Sequence, residues 1–330
     1  MTTTVLISSA GRRVELLDAF RSALRDLDVD GRVVAADASW WSAARHRADD
    51  AFDVPRCDDP SYVDRFVELC ERERVDLVVP TIDPELPVLA AARDRLAGVG
   101  TTVAVSSPAT VAIAADKVAT HRWLIGAGLP TVRQGTPDDV AADPAAWPYP
   151  LVVKPRAGSA GRGVVVAAGP SSLEVAASQG DVVVEELAAG AEHTIDVFVD
   201  RAGGCVCAVP RRRVEVRAGE VAKAVTVRSP ALQDLAASMV AALPGPFGVL
   251  TFQVFVGADP DELAVIELNA RFGGGFPLTR QAGADYPRWM LEELLGRPST
   301  ARPDGWQHGL VMLRYDAAVF VPQPDGEVRP

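Results

Sequence analysis

The first third of the chain alternates apolar runs with stretches of helical period, and this leaves few ways to fold it. TVLISS (4–9) is an apolar run closed by Ala10-Gly11, and residues 12–27 then place Val14, Leu17, Phe20, Leu24 and Leu27 on one helical face. GRVVAAD (31–37) returns as a strand, and the pattern repeats as helix 61–75, strand 76–81, helix 84–100 and strand 101–107. Strands and helices alternating at this size imply a parallel sheet with helices on both faces. Roughly the first 110 residues are thus expected to form an open, doubly wound α/β unit. Ligands of such sheets sit at the C-terminal strand ends. Those ends carry Ser8-Ser9-Ala10-Gly11, Asp37 and Thr81-Ile82-Asp83-Pro84-Glu85. No G-x-G-x-x-G follows the first strand, so the dinucleotide fingerprint is absent. Two readings stay open for these loops: ordinary turns and caps, or a small-molecule pocket bordered by Arg12, Arg13, Asp83 and Glu85.

Residues 107–132 read as two short helices with Asp116-Lys117 between them, and a proline-rich connector follows at 138–150. LVVKP is a strand ending in Lys154, AGSAGRG (157–163) is a glycine-rich loop, and VVVAAG is another strand. The loop joins strand to strand and lacks the G-x-x-x-x-G-K-[ST] pattern, which excludes a Walker A loop. A glycine hairpin can still fold over phosphates and offer N–H groups, with Lys154 supplying a cation at its mouth; a plain flexible hairpin is the alternative. VVVEEL ends a buried strand with Glu185 and Glu186. A carboxylate there needs a partner: a ribose hydroxyl pair, an adenine amino group, or a Lys or Arg of the same sheet. The strand-turn-strand unit 205–227 holds Arg211, Arg212, Arg213, Arg217 and Lys223, the most basic region of the chain. It is either a solvated strand face or a local anion site.

The stretch LTFQVFVGADPDELAVIELNARFGGG (250–275) reads as two strands around a polar turn. Side chains two apart on a strand share a face, so Glu267, Asn269 and Arg271 project together, and Gln253 faces them if the hairpin pairs. A carboxylate and two amide oxygens are hard ligands suited to Mg²⁺, which takes one or two carboxylates from protein and the rest from phosphates and water. Arg271 beside them would hold a phosphate. The plain alternative is a half-exposed hairpin with polar outer residues. A helix pair (277–298), a closing strand (309–321) and a polar tail complete the chain.

Composition narrows the function classes. The chain has 330 residues, enough for two or three subdomains, and 48% hydrophobic and 23% charged residues, ordinary for a globular protein. A net charge of −11 disfavours nucleic acid and anionic membrane as partners, so an anionic ligand needs a local basic pocket. Cys57, Cys70, Cys205 and Cys207 show no CxxC spacing, which suits a reducing cytoplasm. The scattered His46, His121, His193 and His308 give no support to zinc or Ser-His-Asp chemistry. No signal peptide and no membrane-spanning run is expected.

Taken in order, the α/β unit, Lys117, strand-borne Lys154, the glycine hairpin, VVVEEL and Gln253 … Glu267-x-Asn269-x-Arg271 resemble the ATP-grasp superfamily. The branch is the one similar to carbamoyl-phosphate synthase large-subunit domains and biotin carboxylase. The resemblance implies an α/β and α+β fold: a doubly wound pre-ATP-grasp domain (1–112), then a two-lobed ATP-grasp domain (113–320, with a lid lobe 113–187 and a large lobe 188–320) and a tail (321–330). It implies that Lys117 and Lys154 contact ATP phosphates, with Lys154 also near the adenine. Gly158, Ser159, Ala160, Gly161 and Gly163 would cover the β- and γ-phosphates. Glu185 and the backbone of Glu186-Leu187 would bind the adenine edge, and Glu192 the ribose. Glu267, bridging, and Asn269 would hold two Mg²⁺, with Gln253 in support and Mn²⁺ as a substitute. Arg271, with Lys154, would serve catalysis by stabilising the transferring phosphoryl group. Arg211, Arg213 and Lys223 lie where this branch builds its carboxylate site, with Asp83, Glu85 and Arg271 as further substrate candidates.

The implied activity is ADP-forming ligation: ATP activates a small-molecule carboxylate to an acyl phosphate and an amine attacks, joining small molecules such as amino acids. The chain lacks the extension of a biotin carboxylase and the tandem second half of a carbamoyl-phosphate synthase, which disfavours bicarbonate as substrate. A bicarbonate-using enzyme and a non-catalytic ATP-binding regulator are the alternatives. A homodimer is usual in such families; the sequence leaves assembly open.

Overall fold

The computed structural model describes residues 2–158, 161–217 and 219–323. Five strands, β1 (Thr3–Ser8), β2 (Gly31–Asp37), β3 (Ala51–Asp53), β4 (Leu77–Pro80) and β5 (Thr102–Val103), form a parallel sheet in the order β3-β2-β1-β4-β5. The apolar strand residues are buried because helices cover both faces. The expected helix 84–100 is instead a 3₁₀ turn at Asp83–Glu85 and two short helices, Leu86–Ala91 and Arg93–Gly98. Pro84 and Pro87 remove N–H donors there. Strand 101–107 contracts to β5, which pairs with β4 only at Thr102 and Val103.

A second sheet is four-stranded and antiparallel. It contains β6 (Gln134–Gly135), β7 (Leu151–Pro155), β8 (Val165–Ala167) and β9 (Val182–Glu186), in the order β6-β9-β7-β8. It packs its own small core, in which Trp147, Leu151, Val153, Leu173 and Val184 meet. Trp147 belongs to the stretch expected to be a mere connector. The helix Pro170–Ala177, which sequence reading left unassigned, covers this core with Leu173 and Ala176.

The third sheet holds β10 (Ala191–Val199), β11 (Cys205–Arg217), β12 (Glu220–Thr226), β13 (Gly248–Val256), β14 (Leu263–Asn269) and β15 (Val311–Leu313), in the order β14-β13-β10-β11-β12-β15. It shares apolar cores with the parallel sheet: Leu6 and Val78 join the same cluster as Ile195, Leu250 and Phe252. The expected closing strand 309–321 pairs with β12 only over Val311–Leu313. Past it, Tyr315 and Phe320 lie exposed, because no strand stands beside them.

One buried ion pair ties this sheet together. Arg211 of β11 donates two hydrogen bonds, of 2.8 and 2.9 Å, to the Asp196 carboxylate of β10. Both side chains are almost wholly buried. Thr279 donates to the same carboxylate, and the Tyr286 hydroxyl donates to the Asp196 carbonyl at 2.8 Å. Replacing Asp196 by Asn leaves the buried guanidinium uncompensated. The variant is expected to lose about 3 kcal/mol or more of stability, read as a lowered denaturation midpoint in urea.

Candidate active site

The hairpin of β13 and β14 places its polar residues in register: Gln253 opposes Glu267 and Thr251 opposes Asn269. Asn269 Oδ1 accepts a hydrogen bond from Arg271 Nη2 at 3.0 Å, and the same nitrogen lies 2.7 Å from Asp83 Oδ2. This ion pair joins the end of the parallel sheet to the end of β14. Together with Thr81, Ala157, Gly158, Arg162, Arg211 and Arg213, these groups line one cleft of about 590 Å³. The cleft is therefore walled by all three sheets.

The glycine loop forms one wall. Gly158, Gly161 and Gly163 take φ of +111°, +66° and +72°, a region glycine enters without steric cost. Ser159 and Ala160 lie outside the described residues. Lys117 begins the helix Lys117–Gly126, whose first turn is fixed by Asp116: the Asp116 carboxylate accepts from Val118 N–H and is gripped by Arg156 at the end of β7. Lys117 Nζ donates to the Gly158 carbonyl at 3.0 Å. Burial holds the Lys117 ammonium below the ordinary lysine value, with the Glu267 carboxylate acting against that shift and the Lys154 charge adding to it. Lys154 pairs with Glu185 across β7 and β9, and Gln134 Nε2 donates to Glu185 at 3.1 Å. Of the partners open to Glu185, the structure supplies the lysine of its own sheet. Glu186 and the exposed Leu187 then lead from the second sheet into the third.

Glu267 lines the cleft, yet its carboxylate has no hydrogen-bond or ion-pair partner among the described residues. Its charge is felt by Lys117, Glu192 and Arg213. No group of three or more His, Cys, Asp or Glu that could hold a metal occurs among the described residues. A single free carboxylate beside two amide side chains nonetheless fits Mg²⁺, which draws most of its ligands from phosphate and water.

Residues 5–104 match the family described as PylC-like, N-terminal domain, and residues 178–317 the family described as ATP-grasp in the biosynthetic pathway with Ter operon. The biotin carboxylase domain of the Hydrogenobacter thermophilus 2-oxoglutarate carboxylase, solved with MgADP, ADP and bicarbonate, superimposes with a TM-score of 0.73 at 18% identity. That match covers 94% of this chain and 73% of that one. The N5-carboxyaminoimidazole ribonucleotide synthetase of Thermotoga maritima gives 0.66 at 19% identity, covering 91% and 78%. Residues 178–317 thus carry an ATP-grasp match, and the chain shares its fold with these carboxylase and synthetase structures. Over 142 residues it is 33% identical to the phosphoribosylamine–glycine ligase of Synechocystis sp., a match covering 40% of this chain and a third (33%) of that ligase.

Two of the substrate candidates lie off this cleft. Glu85 is buried beneath it: its carboxylate accepts from Thr81 N–H at 2.7 Å, Ser9 Oγ at 2.8 Å and Ile82 N–H at 3.1 Å. It pins the loops after β1 and β4 and does not line the cleft. Lys223 pairs with Glu215 on the solvent side of β12 and is also absent from the lining. Asp37 likewise closes a turn, accepting from Gly11 and Ser39 N–H groups. Conversely, Glu220 and the run Gly273-Gly274-Gly275 line the cleft without having been assigned. The glycine run is needed there: a Cβ on Gly275 would lie 2.1 Å from Arg211 Nη1.

Glu192 stands beside Arg213, Nη1 to Oε1 3.3 Å. Burial raises its carboxyl above the ordinary value; Arg213 opposes that shift and the Glu267 charge adds to it. A carboxyl raised on folding adds stability while protonated, below the unfolded value, and loses it as pH rises through the folded value. In the metal-free protein, replacing Glu192 by Gln is therefore expected to raise the melting temperature at about pH 7 relative to that at about pH 4, compared with the wild type. Parallel thermal melts of both proteins across that range read it out.

Proposed function

We propose that this chain is an ADP-forming carboxylate–amine ligase acting on small molecules, with amino acids as the favoured class. The observation that carries the reading is the unpartnered Glu267 carboxylate, set in one cleft with Asn269, Gln253 and Arg271 and close to the cations Lys117 and Lys154. A bound nucleotide supplies what this arrangement lacks, a metal and a polyphosphate. Glu267 and Asn269 would hold two Mg²⁺ with Gln253 in support, and the ions would neutralise phosphate charge. The glycine loop and Lys117 would cover the β- and γ-phosphates. Lys154 and Glu185, with the Glu186-Leu187 backbone, would border the adenine, and Glu192 the ribose. The match to a phosphoribosylamine–glycine ligase supports amide formation as the outcome. The free thiols of Cys57, Cys70, Cys205 and Cys207 support a cytoplasmic setting.

The chemistry asks for positioning and charge, not for a protein nucleophile. A carboxylate oxygen of the acid attacks the γ-phosphorus; the bond to the β-bridging oxygen breaks and ADP leaves with the electron pair. Arg271 would stabilise the charge that develops on the equatorial oxygens, and its Nε is buried without a partner among the described residues. The amine lone pair then attacks the acyl carbon, the C–O bond to phosphate breaks, and the amine proton passes to the departing phosphate or to solvent. Arg211 and Arg213 are proposed to hold the acid, since Arg211 Nη1 and Arg213 Nε are likewise buried and unpartnered.

An ADP-release screen over pairs of amino acids tests the reading, with bicarbonate as a separate arm because a solved relative carries it. ADP released only when an acid and an amine are both present supports ligation; AMP release contradicts it. Glu267→Gln is expected to abolish turnover with the circular dichroism unchanged. Arg271→Ala should lower kcat about 10²-fold or more while changing ATP affinity less, because its contact strengthens as charge develops. Steady-state kinetics beside a binding titration separate the two effects.

A further inference from the structure

A second cavity, of about 820 Å³, lies behind the cleft and meets it at Arg13, Glu220, Gly273 and Gly274, the residues that line both. At this waist the backbone is kept bare: a Cβ on Gly274 would lie 3.4 Å from both Arg13 Nη1 and Glu220 Oε1. Arg314, which follows β15, reaches the same point. Its Nη1 lies 2.8 Å from Glu220 Oε2, and its Nη2 donates to the Gly274 carbonyl. Arg12 and Arg47 also line the second cavity, together with the carboxylates of Glu15 and Asp316, and neither arginine has an ion-pair partner among the described residues.

Arg13 is the unsatisfied group here. Its half-buried guanidinium makes no side-chain hydrogen bond or ion pair among the described residues. Burial and the charges of Arg271 and Arg314 disfavour its cation, while Glu220 and Asp83 favour it. Those two carboxylates are already matched, Glu220 by Arg314 and Asp83 by Arg271. One positive charge at the waist is left over. A desolvated cation beside two others persists at a free-energy cost unless an anion completes it.

We propose, resting on the ligase reading above, that the second cavity holds the attacking amine and that this substrate carries its own carboxylate or phosphate group, bound by Arg13 at the waist with Arg12 and Arg47 behind it. The direction follows from the chemistry. The acid must lie beside the γ-phosphate, on the Glu267–Asn269–Arg271 side of the cleft. The amine must approach the acyl carbon over a face of its carbonyl plane from space that the γ-phosphate does not fill, and the waist is where the second cavity opens onto the cleft.

Thermal unfolding of the wild type, Arg13→Gln and Arg13→Lys tests this, with acetate, inorganic phosphate and chloride as probes at fixed ionic strength. Acetate or phosphate should raise the wild-type melting temperature more than chloride does. Arg13→Gln should lose more than half of that excess, and Arg13→Lys should keep part of it. The larger of the acetate and phosphate responses identifies the anionic group. An excess equally large in Arg13→Gln, or no excess in the wild type, overturns the proposal. A rise with MgADP reports the nucleotide side separately. Its absence from all three proteins would sink the ligase reading, while the anion comparison still decides whether Arg13 binds an anion.

Discussion

The cleft depends on a salt bridge that never meets solvent. Arg211 of β11 and Asp196 of β10 lie on neighbouring strands inside the six-stranded sheet, and Thr251 of β13, Thr279 and Gly275 all stand against them. A buried pair of this kind is poor evidence of net stability, because desolvation offsets most of the attraction. What it supplies is position. The Asp196 carboxylate and its donors fix the Arg211 guanidinium in one orientation, with Nη1 left over beside Gly275. The glycine is the counterpart of the bridge: any side chain there would displace the guanidinium and disturb its hold on Asp196.

Charge balance across the cleft follows the same logic at larger scale. The chain is acidic overall, yet it gathers Lys117, Lys154, Arg13, Arg211, Arg213, Arg271 and Arg314 around one cavity system. Most of these cations already have a carboxylate within reach: Glu185 for Lys154, Glu192 for Arg213, Asp83 for Arg271 and Glu220 for Arg314. Each pair keeps its cation in place at modest cost, while Arg211 Nη1, Arg213 Nε and Arg271 Nε remain buried without a hydrogen-bond partner among the described residues. The site is therefore pre-organised for anions without exposing a bare cluster of positive charge.

Much of this was legible in the sequence where periodicity governs the outcome. Alternation along a strand puts Gln253 opposite Glu267 and Thr251 opposite Asn269 once the hairpin pairs, with a register shift between Gln253 and Val254, while Arg271 lies just past the strand end. The alternating helices and strands of the first hundred residues likewise admit little besides a parallel sheet. Sequence reading failed where the outcome rests on which neighbour stands alongside. Residues 315–321 are as apolar as many strands but join no sheet among the described residues. Glu85 looks like a ligand-facing loop residue, yet three nearby donors turn it inward. Lys223 shares a basic stretch with Arg211 and Arg213, but it pairs with Glu215 on the solvent side. Arg314 has no motif around it and reaches Glu220 only because β15 lies beside β12.

The four-stranded sheet is joined to the rest in a telling way. Thr131 bridges to Val265 of β14 just before this sheet begins, and Ala191 pairs with Val256 of β13 just after it ends. The chain thus departs and returns on two adjacent strands. Topologically, everything between is an insert hung from neighbouring points, with an interior of its own. Attachment at neighbouring points is the arrangement in which a body can hinge, and the strands that flank the glycine loop belong to this insert. Excising it would leave the order of the six remaining strands uninterrupted.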